Sequence, residues 1–218
     1  GPRAEQGIHP MKRTYRLAGS IALATGLSLL SACSILPKPE IVDVYRLPAA
    51  QAPMAVSQST PVKWSLRLEK PMTTGALNSQ NIVVVPEGNL ISNYKGARWS
   101  DTAPVLLRNR LLEAFLQDGR IQGLSTDDSN LQSDYELGGE LLAFQTHYNG
   151  KSPEVLIQYN ARLVRSSDQR VIASKRFETR QPLSNPMVPG VVAGFGQASD
   201  VLMPQVVQWV MQQGQAQR

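Results

Sequence analysis

The chain has 218 residues, 42% of them hydrophobic and 18% charged, enough for one sizeable core or two small ones and incompatible with wholesale disorder. Its formal charge of +5 is concentrated at the start: residues 1–32 hold Arg3, Lys12, Arg13 and Arg16 against Glu5, leaving 18 cations against 16 anions, or +2, for the rest. The body therefore lacks the dense positive field that nucleic-acid binding needs, and a single cysteine excludes an internal disulfide, a CxxC redox pair and a multi-cysteine zinc site.

Residues 1–10 precede Met11, include Pro2 and Pro10, and do not fit a signal peptide's basic start; they are read as an extension upstream of the true start. From Met11, three cations lead into an uncharged run at 17–30 that ends in small residues before Cys33, the pattern of a signal peptide over 11–32. Fourteen helical residues reach only ~21 Å, short of the ~30 Å of bilayer hydrocarbon, so the run suits export and removal better than a permanent span. Leu30-Ser31-Ala32-Cys33 resembles a bacterial lipobox, which implies cleavage between Ala32 and Cys33, a diacylglyceryl group on the Cys33 thiol and an N-acyl chain on its new amine. Each buried methylene contributes roughly 0.8 kcal/mol, so several chains hold a protein on a membrane firmly. Ser34 stands where an aspartate would favour inner-membrane retention in Gram-negative lipoproteins, and the outer membrane is the expected address.

Residues 33–61 are rich in Pro, Ala, Gln and Ser and read as a tether, with Pro37, Pro39, Pro48, Pro53 and Pro61 interrupting regular structure. A flexible stretch of that length spans roughly 30 Å. Within it, 42–47 alternates as a short strand that would pin the tether partway.

The folded domain is expected over 62–213, with a short tail at 214–218. Val62, Trp64, Leu66 and Leu68 alternate with Lys63, Ser65, Arg67 and Glu69, the period of a half-buried strand ending at Pro71. A second strand at 81–85, turn residues at 86–89 and a return over 90–94 make a hairpin. Ser100, Asp101 and Thr102 offer oxygens to a helix start, Pro104 suits the first turn, and the helix runs to about Asp118 before Gly119 ends it. Leu107, Leu111, Ala114 and Phe115 form its apolar stripe, with Arg108, Asn109, Glu113 and Gln117 facing elsewhere.

Three longer strands, about 135–148, 155–165 and 170–179, form an antiparallel meander in which Val155, Ile157, Tyr159, Ala161 and Leu163 share a core face. Lys175 breaks the alternation of the last. A helical pattern over 190–213 places Phe195, Leu202, Val206 and Trp209 on one stripe, and Pro204 should kink or split it. The fold class is α+β: strands, helix, three strands, helix, with two helices on one face of an antiparallel sheet.

No catalytic residue and no metal site emerges. His147, the one histidine of the exported part, reads as a solvated strand-end side chain, and no GxSxG, HExxH or Walker motif occurs. The glycines of 190–196 lack dinucleotide-motif spacing and suit a helix entrance or close packing. Asp127, Asp128, Asp134, Glu136 and Glu140 do not follow calcium-loop spacing and read as a solvated turn. The densest feature is 93–101, where Tyr94, Arg98, Trp99 and Asp101 are candidate partner contacts, Trp99 doubling as a core or helix-entry anchor and Arg98 being the more exposed.

The lipobox, Asp43-Val44-Tyr45-Arg46-Leu47, the 94–101 stretch with Ala97-Arg98-Trp99, and Tyr135-Glu136-Leu137 opening a long strand together resemble the ABC-type transport auxiliary lipoproteins, over residues 43 to about 213. That resemblance implies a non-enzymatic accessory of an MCE-type system, in which an inner-membrane ABC permease and ATPase and a lipid-binding MCE protein move phospholipids or other hydrophobic molecules across the envelope. It implies those proteins as partners, a periplasmic position on the membrane, a homo-oligomer by analogy, and no cofactor beyond the lipid on Cys33. Two other readings stay open: a lipoprotein bracing a peptidoglycan synthase or a lipopolysaccharide exporter, and a periplasmic hydrolase, which requires a pocket of convergent titratable groups.

Overall fold

The computed structural model describes residues 36–51, 59–150 and 152–217. Cys33 and the leader, with the cleavage site at Ala32, lie outside them. Residues 36–40 are exposed and without regular structure, and the fold itself occupies 41–218.

Among the described residues, eight strands and two α-helices follow in the order β1 (Asp43–Tyr45), β2 (Leu66–Leu68), β3 (Asn81–Val85), β4 (Ser92–Trp99), α1 (Ala103–Asp118), β5 (Leu124–Thr126), β6 (Tyr135–Asn149), β7 (Ser152–Arg165), β8 (Arg170–Pro182) and α2 (Val188–Gln215). The long strand β6 organises the sheet. Along one edge it pairs with β7, and β7 with β8, both antiparallel. The other edge is shared: the first half of β6 takes β2 and the second half takes β3, both parallel. Beyond them lie β5, parallel to β2, and β4, antiparallel to β3, with β1 parallel to β4 at the margin.

The α+β class, the two helices on the sheet and the antiparallel meander of β6–β8 are as the sequence predicts. The sheet is mixed rather than wholly antiparallel, because β2 and β3 are too short to fill the edge of β6 alone and both run in its direction. The strand expected over 62–69 contracts to Leu66–Leu68, since the Ser65 amide and hydroxyl both donate to the Asp134 carboxylate, at 2.8 and 3.1 Å, instead of joining a ladder. In the opposite sense, the return expected at 90–94 extends through Trp99. Gly96, at φ 70°, lies in the irregularity where Asn81 faces Arg98 but Val83 faces Asn93, a local shift that lets the strand continue.

α1 begins with Pro104 in its first turn and ends on Gly119, whose φ of 77° is the left-handed C-terminal geometry. The oxygens of residues 100–102 do not cap it: Thr102 is the N-cap without a side-chain bond, and Asp101 accepts only the Thr102 amide, at 2.8 Å. Leu107, Leu111, Ala114 and Phe115 are buried, as the stripe requires. Arg108, expected to face away, is buried as well. α2 is continuous across Pro204, which sits on its exposed side, and it reaches Gln215, two residues into the expected tail. Gly194 allows the close packing expected of the 190–196 glycines, against Leu183, and Gly214, in the expected tail, packs on Trp64.

The helices close a single core over the face carrying Val155, Ile157, Tyr159, Ala161 and Leu163. Lys175 lies on that same face of β8, opposite Ala161, and is exposed there, with its ammonium 5.2 Å from the Phe177 ring, which accounts for the broken alternation.

The short strand expected within 42–47 forms at Asp43–Tyr45 and draws the chain into the sheet well ahead of residue 62. Tyr45 and Leu47 pack on the core, and Pro48 lies against Gly196 of α2, where an added Cβ would come within 2.8 Å of the proline ring. The Gln51 amide then donates to Asp200, at 3.3 Å. The free reach of a tether running to Pro61 is therefore shortened: only nine residues separate Cys33 from Asp43.

Candidate functional site

The four candidate contacts at 94–101 do not converge on one surface, because the alternation of β4 sends neighbours to opposite sides. Trp99 is 0% exposed, set edge-on to Phe195 with ring centres 5.0 Å apart and to Phe144 at 5.9 Å. It joins the sheet to α2 by shape, and its indole N–H meets no acceptor among the described residues. Tyr94 is half-buried against the core beside Thr146 and Tyr148, and burial pushes its phenol above the ordinary value. Arg98 and Asp101 are exposed, as is Lys95, and Arg98 makes no ion pair among the described residues. The Arg-Trp pair is thus one anchor and one solvated cation.

Sequence reasoning missed two buried cations. Arg108 is 5% exposed and divides its guanidinium between Asp127 (2.6 Å) and Asp128 (2.8 Å), the side-chain oxygen of Asn109 accepting as well. Burial alone would raise the Asp127 pKa, but the Arg108 bonds and the Lys70 amide outweigh it and hold the carboxyl below its ordinary value. Arg110 pairs with Asp200 and with Glu113, joining α1 to α2. The only sequence signal for either pair was a charged residue next to an apolar stripe position.

The acids expected in a solvated turn mostly serve as partners: Asp127 and Asp128 of Arg108, Asp134 of Ser65, and Glu140 of Arg162 at 2.6 Å. His147 is half-buried rather than solvated, opposite Val85 on β6. Among the described residues no three His, Cys, Asp or Glu side chains are placed to hold a metal ion.

A groove of about 650 Å³ runs between the 70–78 connection and β6, lined by Pro71, Met72, Leu77, Leu141 and Leu142, with Lys70 and Glu140 among its polar groups. Its volume suits a small ligand, but its carboxylate, Glu140, is engaged by Arg162. The outer face of β6–β8 is a solvated polar lattice in which Arg180 joins Glu154 and Glu178, Gln158 joins Glu178, and Arg176 joins Asn160.

At the end of the sheet where the β3–β4 and β6–β7 turns lie side by side, apolar side chains stand exposed among polar ones. Leu90 and Ile91 are 55% and 60% exposed there. No described helix is long and apolar enough to cross a membrane.

The architecture is that of a small α+β domain carried shortly behind a cysteine. The chain belongs to the ABC-type transport auxiliary lipoprotein components, whose family model matches residues 45–207, nearly the whole fold. It is similar to the crystal structure of protein XCC0632 from Xanthomonas campestris, with 30% identity and a TM-score of 0.73 over 81% of this chain and 98% of that one. A second crystal structure, of an uncharacterized protein, shares the fold at 16% identity and a TM-score of 0.60, over 78% of this chain and 99% of that one. No curated protein matches the chain.

Proposed function

We propose that the chain is a lipid-anchored periplasmic component of an MCE-type ABC transport system, acylated at Cys33, held at the outer membrane and working by position rather than by making or breaking bonds. The observation that carries this reading is the family match over 45–207 set directly behind a lipobox, with nine residues between Cys33 and the first paired strand. The inner-membrane permease and ATPase supply the energy, the MCE protein carries the lipid, and this domain receives or steadies that protein at the far bilayer. The carboxylate of the groove, Glu140, is already held by Arg162, which supports a positional role over hydrolysis.

Mass spectrometry of protein from its native envelope should find residue 33 as the N-terminus, bearing diacylglyceryl and N-acyl groups. Cys33→Ala should leave a folded protein that is released from membranes and fails to support transport. Affinity capture from detergent-solubilised membranes should bring down an MCE protein. A bare Cys33 would overturn the anchoring, and capture of a peptidoglycan synthase or a lipopolysaccharide exporter instead would overturn the assignment to lipid transport.

A further inference from the structure

We infer that the end of the sheet bearing the β3–β4 turn is a second membrane contact, lying on the surface of the bilayer that holds the acyl chains. The inference rests on the anchoring reading above and begins with chain direction. β4 starts at this end, at Ser92, and runs away from it to Trp99. β1 is parallel to β4, with Asp43 opposite Ala97, so β1 also enters from this side. Asp43 therefore stands five residues, about 17 Å, along β4 from its start. Just ahead of Asp43, the Ile41 carbonyl lies beside Gly96, so the chain still follows β4 toward the turn as it is traced back.

The leash is short. Ten residues from Asp43 to Cys33 span at most about 35 Å when fully extended and roughly 17 Å on average as a flexible chain. The fifteen residues of β6 extend over about 50 Å, so the turn end, about 17 Å from Asp43, lies within the leash's average reach, while the other end is approached only when the leash is almost fully extended.

The surface at that end has matching chemistry. Val85, the last residue of β3, pairs with His147, which sets the β3–β4 turn beside the β6–β7 turn. The Leu183 amide donates to the Pro153 carbonyl at 3.0 Å, and Gly194 packs on Leu183 and Val155, so α2 starts at the same end. Its N-cap residue, Met187, is 68% exposed, and with Leu90 and Ile91 it gives this end three large apolar side chains in water. Glu87 is exposed in the same turn, so the contact is made at the depth of the headgroups, with the apolar side chains reaching the acyl boundary. The opposite end carries Ser166, Ser167, Asp168 and Gln169 in the β7–β8 turn with Leu131 and Val171 exposed nearby, so the length of the leash, rather than composition alone, chooses between the two ends.

The test uses the full acylated chain in vesicles of phosphatidylethanolamine and phosphatidylglycerol. Acylation leaves Cys33 without a thiol, so Leu90→Cys and Ser167→Cys each accept a single environment-sensitive fluorophore. Lipids carrying a nitroxide at the headgroup–acyl boundary should quench most of the signal at position 90 and none at position 167. A Met187→Cys label should behave like position 90, and Ile91→Asp, at a position exposed in the fold, should relieve the quenching without altering the circular dichroism. Protein that stays on the vesicles while position 90 remains in water would overturn the contact and leave the anchor standing. Protein that leaves the vesicles would overturn the anchor and the contact together, and protection of position 90 only on adding the MCE protein would reassign this end to protein docking.

Discussion

Trp99 shows how one side chain can resemble a contact residue and serve the core. Its zero exposure and its two edge-on rings predict that Trp99→Ala costs about 3–5 kcal/mol in denaturant unfolding, whereas Arg98→Ala stays within about 0.5 kcal/mol. Because the indole N–H has no acceptor among the described residues, Trp99→Phe should lose much less than Trp99→Ala. Asp127 makes a prediction in pH. Its carboxyl is held below its ordinary value of 3.8, so the unfolded chain takes up the proton first. The stability it contributes is complete above that value and is lost as pH falls through the lower folded value. Acid titration of the unfolding free energy should therefore fall less steeply for Asp127→Asn than for the parent chain. Arg108→Ala should be the more damaging change, since it leaves Asp127 partly buried without its cation.

At the scale of the elements, local patterns were legible where one face meets one core. The stripe of α1, its Pro104 start and Gly119 stop, and the alternation of β7 follow from side-chain periodicity alone. Pairing partners did not, because periodicity fixes which face is buried and says nothing of which edge a short strand will find. The three residues of β2 and of β5 carry too little pattern to announce a parallel pairing with a strand tens of residues away. The site was legible in the same uneven way: Arg98 and Trp99 took the sides expected of them, while the buried Arg108 and Arg110 depend on acids brought in from β5's following turn and from α2. One contact between elements is directly testable. Gly196→Leu should drive Pro48 off α2, costing about 1–3 kcal/mol, and should raise hydrogen exchange at the Ser100 amide, which donates to Tyr45 at 2.7 Å.

For the whole molecule, the distance between Cys33 and the fold is the quantity that the sequence pattern overstated. A tether free to Pro61 would let the domain roam, but Asp43–Tyr45, Pro48 and Gln51 hold the chain from 43 onward. Inserting about twenty Gly and Ser residues between Pro39 and Asp43 should raise the average reach from roughly 17 to roughly 30 Å. The lengthened protein should remain in the membrane fraction, and its label at position 90 should lose most of its lipid quenching.

The parallel seating of β1 has a mechanical meaning as well. With Cys33 acylated as proposed, a pull from the bilayer would travel along the axis of β1, so the bonds to β4 would be loaded in shear, all at once, instead of opening one after another like a zipper. With Pro48 wedged against α2 behind them, such tension would be passed on to the hydrophobic interior.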